Sequence, residues 1–412
     1  MTAALPAGVR IWTVVILQPQ RLPLLADVTP LRRLSHPQPP GRFYIFQAFR
    51  QKRWQSQTPG VMSSGTGRIH VLGLGNLGRL FAHELAIQPS PPPITLLLHR
   101  PGLLEEWDEA GRKIEITTEG VVSSSSNYDV ELVSRQPRQD EIIENLIVAT
   151  KTLNTVKALS SIKHRLTYNS TVLFTQNGMG TMEEVTNALF PYPSSRPHYL
   201  ASVTSHGVYT LRPFRSVHAG LANVTIGRAL FPGQLDTNHS SKSKYLIDRI
   251  VNSPGLAAKE VDPKELTRLQ LEKLVINAMI NPLTVIFDCK NGELFDRGSI
   301  VHLMKLLLAE ASQVIASLPE LHDDPETASR FSTQKLQSIV LNVVEKTAKN
   351  TSSMLQDRRA GRPTEIDYIN GYIVKRGKEL GVECKVNEKL IELVKEGALE
   401  SAALASLLGK PP

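Results

Sequence analysis

Apolar and polar positions change their rhythm twice along this chain. From residue 68 to about 210, short aliphatic runs alternate with segments whose apolar residues recur every three or four positions. "RIHVLG" predicts a strand and "NLGRLFAHELA" the helix that follows it. "ITLLLHR" at 94–100 and "NLIVAT" at 145–150 predict further buried strands, and "KIEITTEGVV" predicts a hairpin. "TLNTVKALSSIKHRL" is helical, "STVLFTQNG" is a strand and turn, and "TMEEVTNALF" is again helical. Strands alternating with helices imply a parallel sheet with crossovers. "PYPSSRPH" and "FPGQLDTNHSSKSK" read as surface loops.

After about residue 264 every strong pattern is helical, as in "ELTRLQLEKLVINAMIN", "IVHLMKLLLAEASQVIASL", "STQKLQSIVLNVVEKTAKN" and "VNEKLIELVKEGALESAALASLL". The expected organisation is a leader over 1–65, an α/β dinucleotide-binding domain of Rossmann type over 66–264, and an all-α domain over 265–412.

Composition refines this picture in one place. The 412 residues are 41% hydrophobic and 21% charged, with a net charge of +8. Residues 1–65 carry eight Arg or Lys and one acid, Asp27, leaving 39 basic and 38 acidic residues beyond. The basicity belongs to the leader, so it does not indicate a nucleic-acid partner. An arginine-rich, acid-poor start has the composition of a mitochondrial transit peptide. A tail on a cytoplasmic protein, or an untranslated segment ahead of Met62, are the alternatives. Two cysteines, Cys289 and Cys384, offer neither a disulfide framework nor metal-ligand spacing. No apolar run approaches the ~18 residues that span a bilayer.

The first candidate chemistry is the turn Gly73-Leu74-Gly75-Asn76-Leu77-Gly78. In such a turn the first glycine makes the bend, the second lets a pyrophosphate approach, and the third lets helix pack on strand. The helix N-terminus then offers free N–H groups to the phosphates. A strand before the turn and a helix after it are the context this reading requires. NAD-selective folds place an acid at the end of the second strand. Here Arg100 stands at that point, with His99 beside it, which favours NADP over NAD. Lys151 and Asn177 each follow a predicted strand, where open α/β sheets bind ligands.

The second is the helical stretch "LEKLVINAMINPLTVIF". Lys273, Asn277 and Asn281 recur at four-residue spacing and share one face. Repeated asparagine is unusual on a solvated helix face, so a polar cleft explains it better. A lysine there is a plausible proton donor. A further dense stretch, 350–377, carries Asn350, Ser352, Ser353, Asp357, Glu365 and Asp367, with Thr364 and Asp367 at a capping spacing.

"GLGNLG", "QNGMGTMEE", "EKLVINAMINPLT", "NGEL" and "SSMLQDRRAGRPTEIDYINGYI" occur in this order, and together they resemble the ketopantoate reductase (2-dehydropantoate 2-reductase) family over roughly residues 68–395. The resemblance implies NADPH-dependent reduction of 2-dehydropantoate to (R)-pantoate, on the way to pantothenate and coenzyme A. It implies a site between a Rossmann domain and a helical domain. It makes Lys273 the catalytic lysine. It makes Asn277, Asn281, Asn291 and Ser353, with Asn350 close by, substrate contacts. The residues of the glycine turn, Lys151, Asn177 and Val208 become cofactor contacts, and Asn177 also borders substrate. Glu365 falls near the nicotinamide ribose and the lysine, which it would keep protonated or orient. Two departures are Lys385, where the family commonly has proline, and longer loops around 187–198 and 231–244.

Two other readings compete. One is a related NADPH-dependent reductase of another branched 2-oxo acid. The other is a non-catalytic NADP-binding regulator, against which the retained Lys273, Asn277, Asn281, Ser353 and Glu365 argue. The expected partner is a small 2-oxo acid, with neither nucleic acid nor membrane; a homodimer is left open.

Overall fold

The computed structural model describes residues 67–133, 141–229, 240–296 and 298–397; the basic leader lies outside them. Twelve strands occur among these residues: β1 (Ile69–Leu72), β2 (Ile94–Leu98), β3 (Ile114–Thr118), β4 (Val121–Ser125), β5 (Asp129–Leu132), β6 (Asn145–Val148), β7 (Thr171–Phe174), β8 (His198–Thr204), β9 (Gly207–Arg212), β10 (Arg215–Gly220), β11 (Val224–Arg228) and β12 (Lys259–Glu260).

Eight of these form one sheet in the order β12-β11-β8-β7-β6-β1-β2-β5. The pairs from β5 to β8 are parallel, and β11 joins β8 antiparallel. β1, β2, β6 and β7 are buried throughout because both faces of a parallel sheet are covered, which is why their sequences are almost continuously apolar. The covering helices are α1 (Asn76–Ala86), α2 (Pro101–Glu109), α3 (Thr152–Ser160), α4 (Thr181–Leu189) and α5 (Ser240–Val251). After β1 the chain proceeds to β2 on one side and later returns to β6 on the other. The carboxyl ends of β1 and β6 therefore flank the crevice where such sheets take ligands.

The structure corrects the sequence expectation in three places. The hairpin over 114–125 forms, turning through Glu119 (φ 49°) and Gly120 (φ 81°), but it belongs to a second sheet, β4-β3-β10-β9. Strands also continue well past residue 210, to Glu260. The segment read as a loop over 231–244 is helical from Ser240 onward, with 231–239 outside the described residues.

The change to helices falls at Pro263, as the periodicity predicts. They are α6 (Pro263–Phe287), α7 (Gly298–Ala316), α8 (Thr327–Arg330), α9 (Thr333–Lys346), α10 (Ser353–Arg359), α11 (Asn370–Leu380) and α12 (Lys385–Glu396). α6 is the central member, and its side chains from Leu274 to Thr284 are buried on all sides. Asp262 starts it by accepting the Glu265 N–H at 3.0 Å, and Pro263 occupies the first helical position, where no N–H is needed. We expect Asp262→Ala to cost about 1 kcal/mol of stability, read by denaturant unfolding, with no change in ligand affinity.

Pro282 lies inside α6 and cannot donate to the Ala278 carbonyl four residues earlier. The fully buried Asn370 does so instead, its Nδ2 donating to Ala278 O at 3.0 Å. Lys385 begins α12, a position that tolerates proline well. The expected cap of Thr364 with Asp367 is absent. Glu365 occupies the N-cap of a 3₁₀ turn at Ile366–Tyr368 without a side-chain capping bond, and Asp367 pairs with Lys395 at 2.6 Å.

Candidate active site

A cavity of about 980 Å³ opens between the carboxyl ends of β1 and β6 and the polar face of α6. The glycine turn forms one end. Gly73 has φ 97°, a left-handed conformation, and a Cβ there would lie 2.5 Å from the Thr150 nitrogen. A Cβ on Gly78 would lie 1.9 Å from the Gly73 carbonyl oxygen, so the helix can pack this closely only on glycine. Gly75, at the N-cap of α1, has nothing within 4 Å of that point. The turn is thus closed on the protein side and open toward the cavity, a cradle that suits a pyrophosphate.

Arg100 and His99, after β2, line the same end. Arg100 is not a free cation here, because its Nη2 lies 2.7 Å from Glu106 Oε1 on α2. Lys151, just before α3, reaches across to the helical part and pairs with Asp357 of α10 at 2.7 Å. Asp357 is buried and also accepts from Arg362 Nε at 2.9 Å. Glu365 accepts from the Thr152 backbone N–H at 3.2 Å and from its hydroxyl at 3.0 Å, with Lys151 Nζ 3.9 Å away.

At the other end α6 presents Lys273, Asn277 and Asn281, as its spacing predicts. Lys273 Nζ donates to the Thr204 carbonyl at the end of β8. Burial pushes its pKa down from 10.5 to about 8, while the charge of Glu365 acts in the opposite direction. Glu365 therefore acts on the ammonium through its field, with its hydrogen bonds spent on Thr152. Asn277 and Asn281 are buried, yet among the described residues neither amide has a hydrogen-bond partner. Both line the cavity, so their amides are open to a polar ligand.

Asn291 follows α6. Its Nδ2 donates to Thr347 Oγ1 at 2.9 Å, and its Oδ1 has no partner. Asn177, Val208, Asn350 and Ser353 line the cavity as well, as do Leu74, Asn76 and Leu77; Gly78 stands behind the turn rather than in the wall. Sequence reasoning missed Arg79, Glu106, Ser205 and His206 in the lining, and Asp357 as the partner of Lys151. Arg79 had a local signal, since it directly follows the third glycine. The others depend on contacts between distant segments.

Known proteins resemble this chain over most of its length. Residues 69–230 match the family model "Ketopantoate reductase PanE/ApbA", and residues 265–398 match its C-terminal counterpart. A probable 2-dehydropantoate 2-reductase of Schizosaccharomyces pombe is 32% identical over 343 residues, covering 79% of this chain and 95% of the relative. A ketoisovalerate reductase of Beauveria bassiana is 30% identical over 387 residues, covering 80% and 83%. Among solved structures, a probable 2-dehydropantoate 2-reductase from Bacillus subtilis superposes with a TM-score of 0.60 at 23% identity, covering 80% of this chain and 100% of that one. D-mandelate dehydrogenase with NADH and anilino(oxo)acetate superposes with a TM-score of 0.64 at 22% identity, covering 83% and 99%. The last two carry the likeness of fold.

Proposed function

The chain belongs to the ketopantoate reductase family and is an oxidoreductase; from that premise we propose that it reduces 2-dehydropantoate to (R)-pantoate with NADPH. The observation that carries this reading is the meeting, in one cavity, of the open glycine cradle with a half-buried lysine beside two unpaired amides. A reduced nicotinamide, when bound, supplies a hydride to the ketone carbon.

The chain's own residues supply the rest. Negative charge grows on the ketone oxygen, and the Lys273 ammonium stabilises it and delivers the proton. One of its three N–H bonds is held by Thr204 O, which leaves two for the substrate oxygen. Removal of water around the ammonium strengthens its field on that oxygen. Asn277, Asn281, Asn291 and Ser353 hold the carboxylate and hydroxyl of the substrate without adding a competing charge. Glu365 helps retain the proton on Lys273. Lys151, Asn177 and Val208 line the path of the cofactor.

The lowered lysine sets the pH dependence. The ammonium form is the acid that reduction requires, and it is lost as pH rises through about 8. We expect kcat/KM for reduction to be level below that pH and to fall roughly tenfold per unit above it. A profile flat to about pH 10, the range of an unperturbed lysine, would remove Lys273 from the acid role.

A second reading is favoured by the likeness to ketoisovalerate reductase, and Ile276, Ile280 and Val343 give the cavity apolar wall for a branched chain. Absorbance assays of the full chain with 2-dehydropantoate and ketoisovalerate, each with NADPH and NADH, decide among these. We expect 2-dehydropantoate with NADPH to give the highest kcat/KM, and a higher value with ketoisovalerate would transfer the assignment. The composition of the leader leads us to infer mitochondrial import, which imaging of a fluorescent fusion tests.

A further inference from the structure

The cofactor end of the cavity holds a charge that the protein leaves unbalanced. Arg79 follows the glycine turn on α1, is 4% exposed, and lines the cavity. Its donors meet only neutral oxygens. Nε reaches the Gly75 carbonyl at 3.3 Å and Nη1 the Arg212 carbonyl at 3.3 Å. Nη2 reaches Asn76 Oδ1 at 3.0 Å and the Thr210 hydroxyl. Among the described residues no carboxylate pairs with it.

Other covered arginines differ in this respect. Arg165 is bound to Glu131 at 2.6 Å, Arg268 to Asp324 at 2.6 Å, and Arg330 to Glu272 at 2.5 Å. A buried cation without an anion is costly, and removal from water pushes the Arg79 guanidinium down to about 10. The nearest relief is the charge of Glu106, whose carboxylate is itself engaged by Arg100 at 2.7 Å. Arg79 thus stands beside an open phosphate cradle with no carboxylate paired to it, a positive charge awaiting an anion.

We propose that Arg79 is the buried cation that receives a phosphate of the bound dinucleotide, and that Glu106 opposes the same phosphate. This rests on the dinucleotide reading of the glycine turn. It adds to that reading a residue outside the turn's own backbone. The hydrogen bonds to Gly75 and Asn76 place the guanidinium beside the cradle for the pyrophosphate, and Glu106, paired with Arg100, lines the same cavity. Both sources present the same chemistry, a phosphate dianion or diester oxygen to a planar fork of donors.

Titration of the full chain with NADPH and NADH, followed by nucleotide fluorescence, tests this. Arg79→Gln keeps neutral hydrogen bonding and removes the charge; Arg79→Lys keeps the charge. We expect Arg79→Gln to weaken NADPH binding about tenfold or more, and Arg79→Lys to recover much of it. Weakening confined to NADPH identifies the 2′-phosphate, and equal weakening of NADH identifies the pyrophosphate. Unchanged affinity for both nucleotides overturns the proposal. Should Arg79→Gln fail to fold, Glu106→Gln made in an Arg100→Gln background, which takes the Arg100 pairing out of the comparison, still decides. It should tighten NADPH by about threefold or more through loss of the opposing charge, and no change would overturn the proposal. A wild-type protein that binds neither nucleotide would instead defeat the dinucleotide reading itself.

Discussion

Lys273→Ala is expected to lower kcat by about a thousandfold while the dissociation constant for NADPH stays within about twofold of wild type. The asymmetry follows from position. Lys273 stands on α6 at the end of the cavity away from the glycine turn, held by the β8 carbonyl of Thr204. It does not contribute to the phosphate cradle, so its loss leaves cofactor binding intact. Its ammonium is the half-buried acid beside the amides of Asn277 and Asn281, and truncation removes both proton and field from the place where charge develops. Single-turnover rates measured alongside nucleotide titrations separate the two effects. Wild-type turnover in this variant would dismiss the mechanism. A large loss of NADPH affinity instead would move the lysine into the cofactor site.

The second large effect comes from comparing two glycines three residues apart. Gly75→Val is expected to weaken NADPH by about a hundredfold, yet leave thermal stability nearly unchanged. Its Cβ meets nothing in the protein and projects into the space the pyrophosphate needs. Gly78→Val should do the reverse of a clean binding defect. Its Cβ overlaps the Gly73 carbonyl oxygen at 1.9 Å, backbone that cannot step aside without parting α1 from β1. We expect that variant to be unstable or insoluble even before ligand is added. Thermal melts of both proteins, with and without NADPH, provide the check. If Gly75→Val binds NADPH normally, the open face of the turn is not where the phosphates lie.

How far the chain can be read from its residues follows the range of the interactions involved. The four-residue recurrence of Lys273, Asn277 and Asn281 is a local property of a helix, so the order of residues alone reveals their shared face. The glycine turn is legible for the same reason, with strand, bend and helix contiguous over 69–86. The second sheet is not, because β3 pairs with β10 about a hundred residues away, and the exposed outer end of β9 blurs its alternation. Beyond it, β10 buries Ser216, His218 and Gly220 rather than apolar side chains, so a reading of apolar periodicity misses that strand. Arg100 can be placed at the end of β2, but its pairing with Glu106 belongs to the helix that follows. Lys151 can be placed beside the crevice, while its partner Asp357 lies more than 200 residues on. The cap expected at Thr364 does not form: the turn begins one residue later, with Glu365 at its N-cap, and Asp367 pairs with Lys395.

The proline inside α6 binds two distant positions into one inherited unit. Pro282 leaves a carbonyl unclaimed, and Asn370 claims it while also donating to Asn387, which in turn donates to Glu310. Replacing Asn370 by an apolar residue would strand a buried oxygen, and replacing Pro282 alone would set a helical N–H against the amide for the same acceptor. Among relatives, substitutions at these two sites should therefore arrive together, and a lineage that keeps the proline while losing the amide would have to supply another donor at that spot.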